Sequence, residues 1–152
     1  MQLTKFTDYS LRVLIYLAMR RGEQATIREI SDTHGISENH LMKVVHSLAK
    51  RGYLKTVRGK GGGISLARMA DEVSIGSVIR ELEPMTPVEC FVPNYKGSCD
   101  LFPGCRLRGV LRGAQAAFLG SLDQYMLSDV AGPRRRAQQR VALPAGRRTQ
   151  AR

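Results

Sequence analysis

Two segments of helical apolar periodicity meet at a single glycine, Gly35, and that junction limits the fold more than any other stretch of the chain. Thr26-Ile-Arg-Glu29 has the form of a capping box, in which the threonine hydroxyl and the glutamate carboxylate each satisfy a backbone N–H that a first helical turn leaves free. It opens a short helix through about His34, with Ile27 and Ile30 turned inward, and Gly35 stops it. Ser37 then caps a further helix, Ser37 to about Arg51, where Leu41, Val44, Val45 and Leu48 fall at the spacing of a core-facing stripe. Two short helices joined by a tight glycine turn constitute a helix-turn-helix. Ahead of them, Thr7 or Asp8 starts a scaffold helix in which Leu11, Leu14, Ile15, Ala18 and Met19 recur at helical spacing until Gly22.

The outward face of the second of these paired helices carries Glu38, Asn39, His40, Lys43, Ser47 and Lys50, a mixture of donors and acceptors. Such a face suits either solvent or base edges, and periodicity alone favours neither. Asn, Lys and Ser near the start of a recognition helix hydrogen-bond base edges in a major groove, while Lys50 is better placed for phosphate. The next segment decides between the two. Tyr53-Leu-Lys-Thr-Val-Arg and Gly63-Ile-Ser-Leu-Ala-Arg flank Gly59-Lys-Gly-Gly-Gly63, a basic, glycine-rich hairpin tip. This is a wing, whose glycines let the backbone approach DNA and whose Arg58 and Lys60 suit a narrow, electronegative minor groove. A phosphate-cradling nucleotide loop is a poor match, because the run lacks G-x-x-x-x-G-K-[ST] and leads into a strand instead of a helix. The expected DNA contacts are therefore Ser37, Asn39, His40, Lys43, Lys50, Arg58 and Lys60, and His34 and His46 carry no assigned role.

A helix from Ser74 to Leu82 follows, with Ile75, Val78, Ile79 and Leu82 inward, and Pro84 and Pro87 end it. Beyond it lie the three cysteines of the chain, as Cys90-x8-Cys99-x5-Cys105, in a segment rich in proline and glycine. An odd number of cysteines argues against a disulfide framework and for free thiols, metal binding or redox chemistry. Buried inert cysteines are usually scattered through helices and strands, whereas these share one polar loop able to fold around a single centre. Three soft ligands suit an iron–sulfur cluster or zinc. From Cys105 to Asp129, Leu107, Leu111, Ala114, Phe118, Leu122 and Tyr125 repeat at spacings of three and four, which implies a helix of roughly 37 Å at 1.5 Å per residue. One copy cannot cover such a seam, so this helix is the expected dimer interface, and a homodimer would present two recognition helices to a two-fold symmetric operator.

Composition sharpens this picture in two places. The chain of 152 residues has room for one domain with appendages and no second enzyme-sized core. Of its formal net charge of +11, seven units belong to the arginines of residues 131–152, a stretch without acids, which leaves +4 for residues 1–130. That tail has few apolar residues and no sustained periodicity, so it reads as a basic, disordered appendage, either attracted to DNA phosphates or merely solubilising. The opening Met1-Gln-Leu-Thr-Lys lacks the apolar run of a signal peptide, and no stretch is long and apolar enough to span a bilayer, so the expected location is the cytoplasm. The expected architecture is mainly α with a small β-hairpin: a winged helix-turn-helix domain over residues 1–83, a cysteine loop over 84–105, a dimerisation helix over 106–130 and the basic tail over 131–152.

Three stretches together carry a resemblance: the opening Met1-Gln-Leu-Thr-Lys-Phe-Thr-Asp-Tyr-Ser-Leu-Arg with its helix running on to Leu17-Ala18, the wing Val57-Arg-Gly-Lys-Gly-Gly-Gly63, and Cys105-Arg-Leu-Arg-Gly-Val-Leu111 with the later Leu122-Asp-Gln-Tyr125. On these the chain, over about residues 1–130, resembles the NsrR-type nitric-oxide-responsive repressors of the Rrf-two-type family of winged-helix iron–sulfur regulators, which includes IscR. The resemblance implies a homodimeric repressor whose iron–sulfur cluster, [4Fe–4S] in preference to [2Fe–2S], senses nitric oxide and controls operator affinity. It matches Cys90, Cys99 and Cys105 to the three ligand cysteines. IscR-like members add a histidine three residues after the last cysteine, where this chain has Arg108; NsrR-like members imply instead Asp8 of the partner subunit. An acid in a first helical turn, four residues before Arg12, also reads as an ordinary ion pair favoured by the helix dipole. The eight-residue gap between the first two cysteines is longer than the family pattern, which brings in Glu89 and Asp100 as substitutes for Asp8. A same-fold regulator of redox, iron or cluster status, or one with a structural zinc, is the alternative. A thiol oxidoreductase lacks a Cys-x-x-Cys or triad-like constellation, so no enzyme is expected.

Overall fold

A computed structural model describes residues 2–59, 61–102 and 104–132. Lys60, an expected DNA contact, and the basic tail beyond Gly132 lie outside the described residues. The first helix, α1 (Lys5–Met19), begins two to three residues earlier than its apolar pattern suggests, because Thr4 caps it by accepting from the Thr7 N–H at 3.3 Å. Glu83 reinforces that cap from a distance of 79 residues: its carboxylate takes the Thr4 N–H at 3.1 Å and the Thr4 hydroxyl at 2.9 Å. Helix α2 (Ile27–His34) has both halves of the capping box formed, with Thr26 N–H donating to Glu29 at 2.6 Å and Glu29 N–H to Thr26 at 3.2 Å. Hydrogen bonds from Thr26, its backbone N–H first and its side chain second, hold the Glu29 carboxyl below its ordinary range. Gly35 ends α2 in the left-handed region at φ 64°, where a side chain would be strained.

Helix α3 (Glu38–Lys50) is capped by Ser37 and buries Leu41, Val44, Val45 and Leu48. Strands β1 (Leu54–Val57) and β2 (Gly63–Leu66) pair antiparallel with Leu54 opposite Leu66 and Val57 opposite Gly63. Of the strand residues only Leu54 and Ile64 are buried, and Ile64 also exchanges two backbone bonds with Ala25, at 2.9 and 2.8 Å, which anchors the wing to the segment leading into α2. Helix α4 (Ile75–Leu82) starts at the Ser74 cap, as the sequence implies, and turns Ile75, Val78 and Ile79 into the core. The core gathers around Val13, Leu14 and Leu17 of α1, which sit between α3 on one side and α4 on the other.

The C-terminal region departs from expectation. In place of one helix through Asp129, α5 (Arg106–Asp123) is about 27 Å long, and the chain breaks at Gln124 before a short α6 (Leu127–Val130). The break has a cause in tertiary contacts. Ile75 N–H donates to Tyr125 O at 2.9 Å and Leu127 N–H to Val73 O at 2.8 Å, so this backbone bridges to the start of α4, and Leu127 enters the core fully buried. Tyr125 therefore leaves the apolar seam. Gly76 is what lets α4 and α5 approach so closely, since a Cβ there would overlap the Asp123 side chain and meet its backbone nitrogen at 2.8 Å.

Candidate nucleic-acid interface and cysteine loop

Among the described residues, α3 and the hairpin leave the expected cations Lys43, Lys50 and Arg58 exposed. Asn39, His40, Lys43 and Lys50 of α3 are exposed, as is Arg58 at the end of β1, while the cap role of Ser37 engages its hydroxyl with the His40 N–H at 3.5 Å. Ser47 is half-buried, its hydroxyl accepting from Arg51, so it contributes less to this face than its helical position suggests. His40 leans toward α1, with its ring 6.2 Å from that of Tyr9. Lys5, Phe6, Tyr9, His40, Lys43 and Val44 line a small cleft of about 210 Å³ between the two helices, so Lys5, unremarkable in the sequence, lines it together with Lys43. The hairpin tip owes its shape to glycine. Gly59 and Gly61 have φ of 95° and 82°, Gly62 N–H closes a turn onto Gly59 O at 2.9 Å, and a Cβ on Gly62 would strike Val57 O.

His34 lies away from this face. Its ring packs edge-on against Tyr16 with centroids 5.6 Å apart, and its Nε2 is buried without a partner. Burial, followed by the nearby Arg12 charge, holds its pKa below the usual histidine value.

All three cysteines are free thiols. Cys90 sits half-buried in a single 3-10 turn (Glu89–Phe91), Cys99 is exposed and its carbonyl accepts from Phe102 N–H at 3.0 Å, and Cys105 is the residue from which α5 starts. The Cys105 side chain makes no capping hydrogen bond, so its sulfur is not spent on the helix end. The chain by itself does not bring the three together: among the described residues no group of three or more His, Cys, Asp or Glu converges to hold a metal ion. The donor chemistry nevertheless fits a thiophilic centre, since three uncommitted thiols, none sealed in the core, share one loop ahead of a helix N-terminus. Asp8 is half-exposed and held by Arg12 through Nε–Oδ1 and Nη2–Oδ2 contacts of 3.0 Å each, which raise the Arg12 pKa. Glu89 and Asp100 are exposed.

What the sequence did not indicate is how the loop is seated. Arg108 stacks over Phe102, with its guanidinium carbon 5.2 Å from the ring centroid, and Arg112 over Phe91 at 5.7 Å. Tyr95 in turn meets Phe102 edge-on at 5.3 Å. A signal existed in the i,i+4 spacing of the two arginines, but cation–ring pairing depends on where a loop returns, and spacing within the loop does not encode that.

A family model described as an iron-dependent transcriptional regulator, Rrf2, matches residues 3–133. Among solved structures, CymR (YrzC), the global cysteine regulator of B. subtilis, is 29% identical with a TM-score of 0.68, the match covering 86% of this chain and 96% of that one. The oxidized form of Staphylococcus aureus CymR is 26% identical with a TM-score of 0.69, over the same shares of the two chains. T. potens IscR, 24% identical with a TM-score of 0.65 and 85% of each chain covered, shares the fold.

Proposed function

This chain belongs to the Rrf2 family of transcriptional regulators, and on that premise we propose that it is a homodimeric, DNA-binding repressor in which an iron–sulfur cluster held by Cys90, Cys99 and Cys105 senses nitric oxide. The observation that carries the reading is that one chain presents an outward cationic helix-turn-helix and wing and, following α4, a loop bearing three free thiols. Asn39, His40 and Lys43 face base edges from α3, Lys50 faces phosphate, and Arg58 enters the minor groove beside the glycine tip. Asp8 supplies the fourth ligand across the dimer. It is the acid of the first turn of α1, whose cap Glu83 already ties to the end of α4 just ahead of the loop. The cluster, when bound, supplies iron that nitric oxide attacks. The chain's own residues translate the change in ligation: α5 carries Cys105 at one end and packs on α4 through its later turns, and α4 packs on α1, which packs on α3.

Dimerisation rests on the first turns of α5, where Leu107 and Val110 are 58% and 67% exposed and Ala114 and Ala117 continue the same face. Anaerobically prepared protein should hold about one cluster per subunit, lose it in Cys90→Ala, Cys99→Ala and Cys105→Ala, and release a two-fold symmetric DNA site on exposure to nitric oxide. Stoichiometric zinc with no iron would overturn the cluster.

One observation favours a second reading. CymR, the global cysteine regulator of B. subtilis, whose Staphylococcus aureus counterpart is solved in an oxidized form, aligns over 96% of its length in both cases. In that reading the loop is a metal-free thiol sensor of redox state, and a colourless, metal-free protein whose DNA affinity changes with thiol oxidation would establish it.

A further inference from the structure

We propose that Arg108 and Arg112 are positioning residues that clasp both arms of the cysteine loop to the first turns of α5, a role that rests on the regulatory reading of the loop while its contacts require no metal. The geometry is specific. Phe91 follows Cys90 directly, and Phe102 closes the turn that begins at Cys99 through its N–H to Cys99 O at 3.0 Å. Each ring lies under one arginine, and the two arginines sit four residues apart on one face of the helix that starts at Cys105. Both arms are therefore docked on the helix that the third thiol begins.

The arginines are used for stacking and not for charge pairing. Neither forms an ion pair among the described residues, and the Arg108 Nε is buried without an acceptor, so its stem is packed against the loop. A flexible loop spanning from Cys90 to Cys105 loses conformational freedom when its thiols act together, and docking two points along it removes part of that cost beforehand. The clasp also makes the loop and α5 one mechanical unit: a loop that rearranges must break a stack on α5 to do so.

The test uses the reduced, metal-free full chain. Lys-C cleavage after exposed Lys96, and iodoacetamide alkylation of Cys90 and Cys99 followed by mass spectrometry, both report the loop leaving α5. Arg108→Leu and Arg112→Leu should each raise the rates on their own arm about two- to fivefold, the double variant more, and Arg→Lys at either position should restore part of the protection. Phe91→Leu and Phe102→Leu should match the arginine variants arm for arm, which keeps the test decisive if the double variant folds poorly. Unchanged rates in these variants, or full protection by Arg→Gln, would overturn the clasp. Absence of a cluster in reconstituted wild-type protein would overturn the cluster reading and leave the clasp standing; unchanged loop rates would do the reverse.

Discussion

Asp8 offers two chemically distinct fates for one carboxylate, and they separate cleanly by experiment. As a half-exposed partner of Arg12 it makes an ordinary solvent-screened ion pair, and its loss would leave any cluster untouched. As a ligand to the partner's cluster, its removal leaves three thiolates, so Asp8→Ala should form a cluster with altered absorption and nitric-oxide response and should bind DNA more weakly. Arg12→Ala should keep the wild-type spectrum. Indistinguishable, unperturbed spectra in both variants would remove Asp8 as the fourth ligand. His34 gives a pH dependence of defined sign. Its folded-state pKa is lowered by burial and then by Arg12, so below about pH 6.5 the unfolded chain takes up the proton that the folded state refuses. Stability is therefore full above the unfolded value and falls as pH drops through it. The urea midpoint of wild type should fall more between pH 7.5 and 5.5 than that of His34→Gln; parallel shifts in the two proteins would assign the loss to other groups.

Helices α4 and α5 meet where a glycine admits them. A Cβ at Gly76 would overlap the Asp123 side chain, which is itself bonded to Arg80 at 2.7 Å, so Gly76→Ala must push the two helices apart or break that pair. The expected cost is about 1–3 kcal/mol in urea unfolding, as for other overpacked contacts, and a neutral result would mean that α5 is free to slide on α4. Helices α2, α3 and α4 were legible because their determinants are local: Thr26 and Glu29, Ser37 and Ser74 make the caps that their sequence context implies. The end of α5 was not legible. Leu122 and Tyr125 continue an apolar spacing, yet bonds from Ile75 and Leu127 to residues far along the chain outweigh the few hydrogen bonds that a further helical turn would have added.

At the scale of the whole molecule, the shorter α5 moves the expected dimer seam toward its N-terminal half. Its later turns, with Leu119 buried and Phe118 and Leu122 half-buried, serve the core of their own subunit. Exposed Leu107 and Val110 remain for a second copy. Val110→Glu should therefore weaken dimerisation by roughly a hundredfold or more, because symmetry buries two unpaired carboxylates together. Light scattering should register the monomer, and affinity for a two-fold operator should fall with it while the thermal midpoint of the monomer fold holds. A variant that stays dimeric with full operator affinity would place the interface elsewhere.

Local chemistry in the chain determined the helix-turn-helix, the glycine wing and the grouping of three thiols in one loop. The first two depend on caps, apolar spacing and left-handed glycines acting over a few residues, as at Gly35 and Gly59, and the third on the sequence positions of Cys90, Cys99 and Cys105. Tertiary structure alone decided that Glu83 caps α1, that Leu127 enters the core and ends α5 early, and that Phe91 and Phe102 seat the cysteine loop beneath Arg112 and Arg108. Those contacts join residues distant in sequence, and no spacing rule encodes them. Which ring lies under which cation, and which carboxylate reaches which cap, are settled only when the core has brought the elements together.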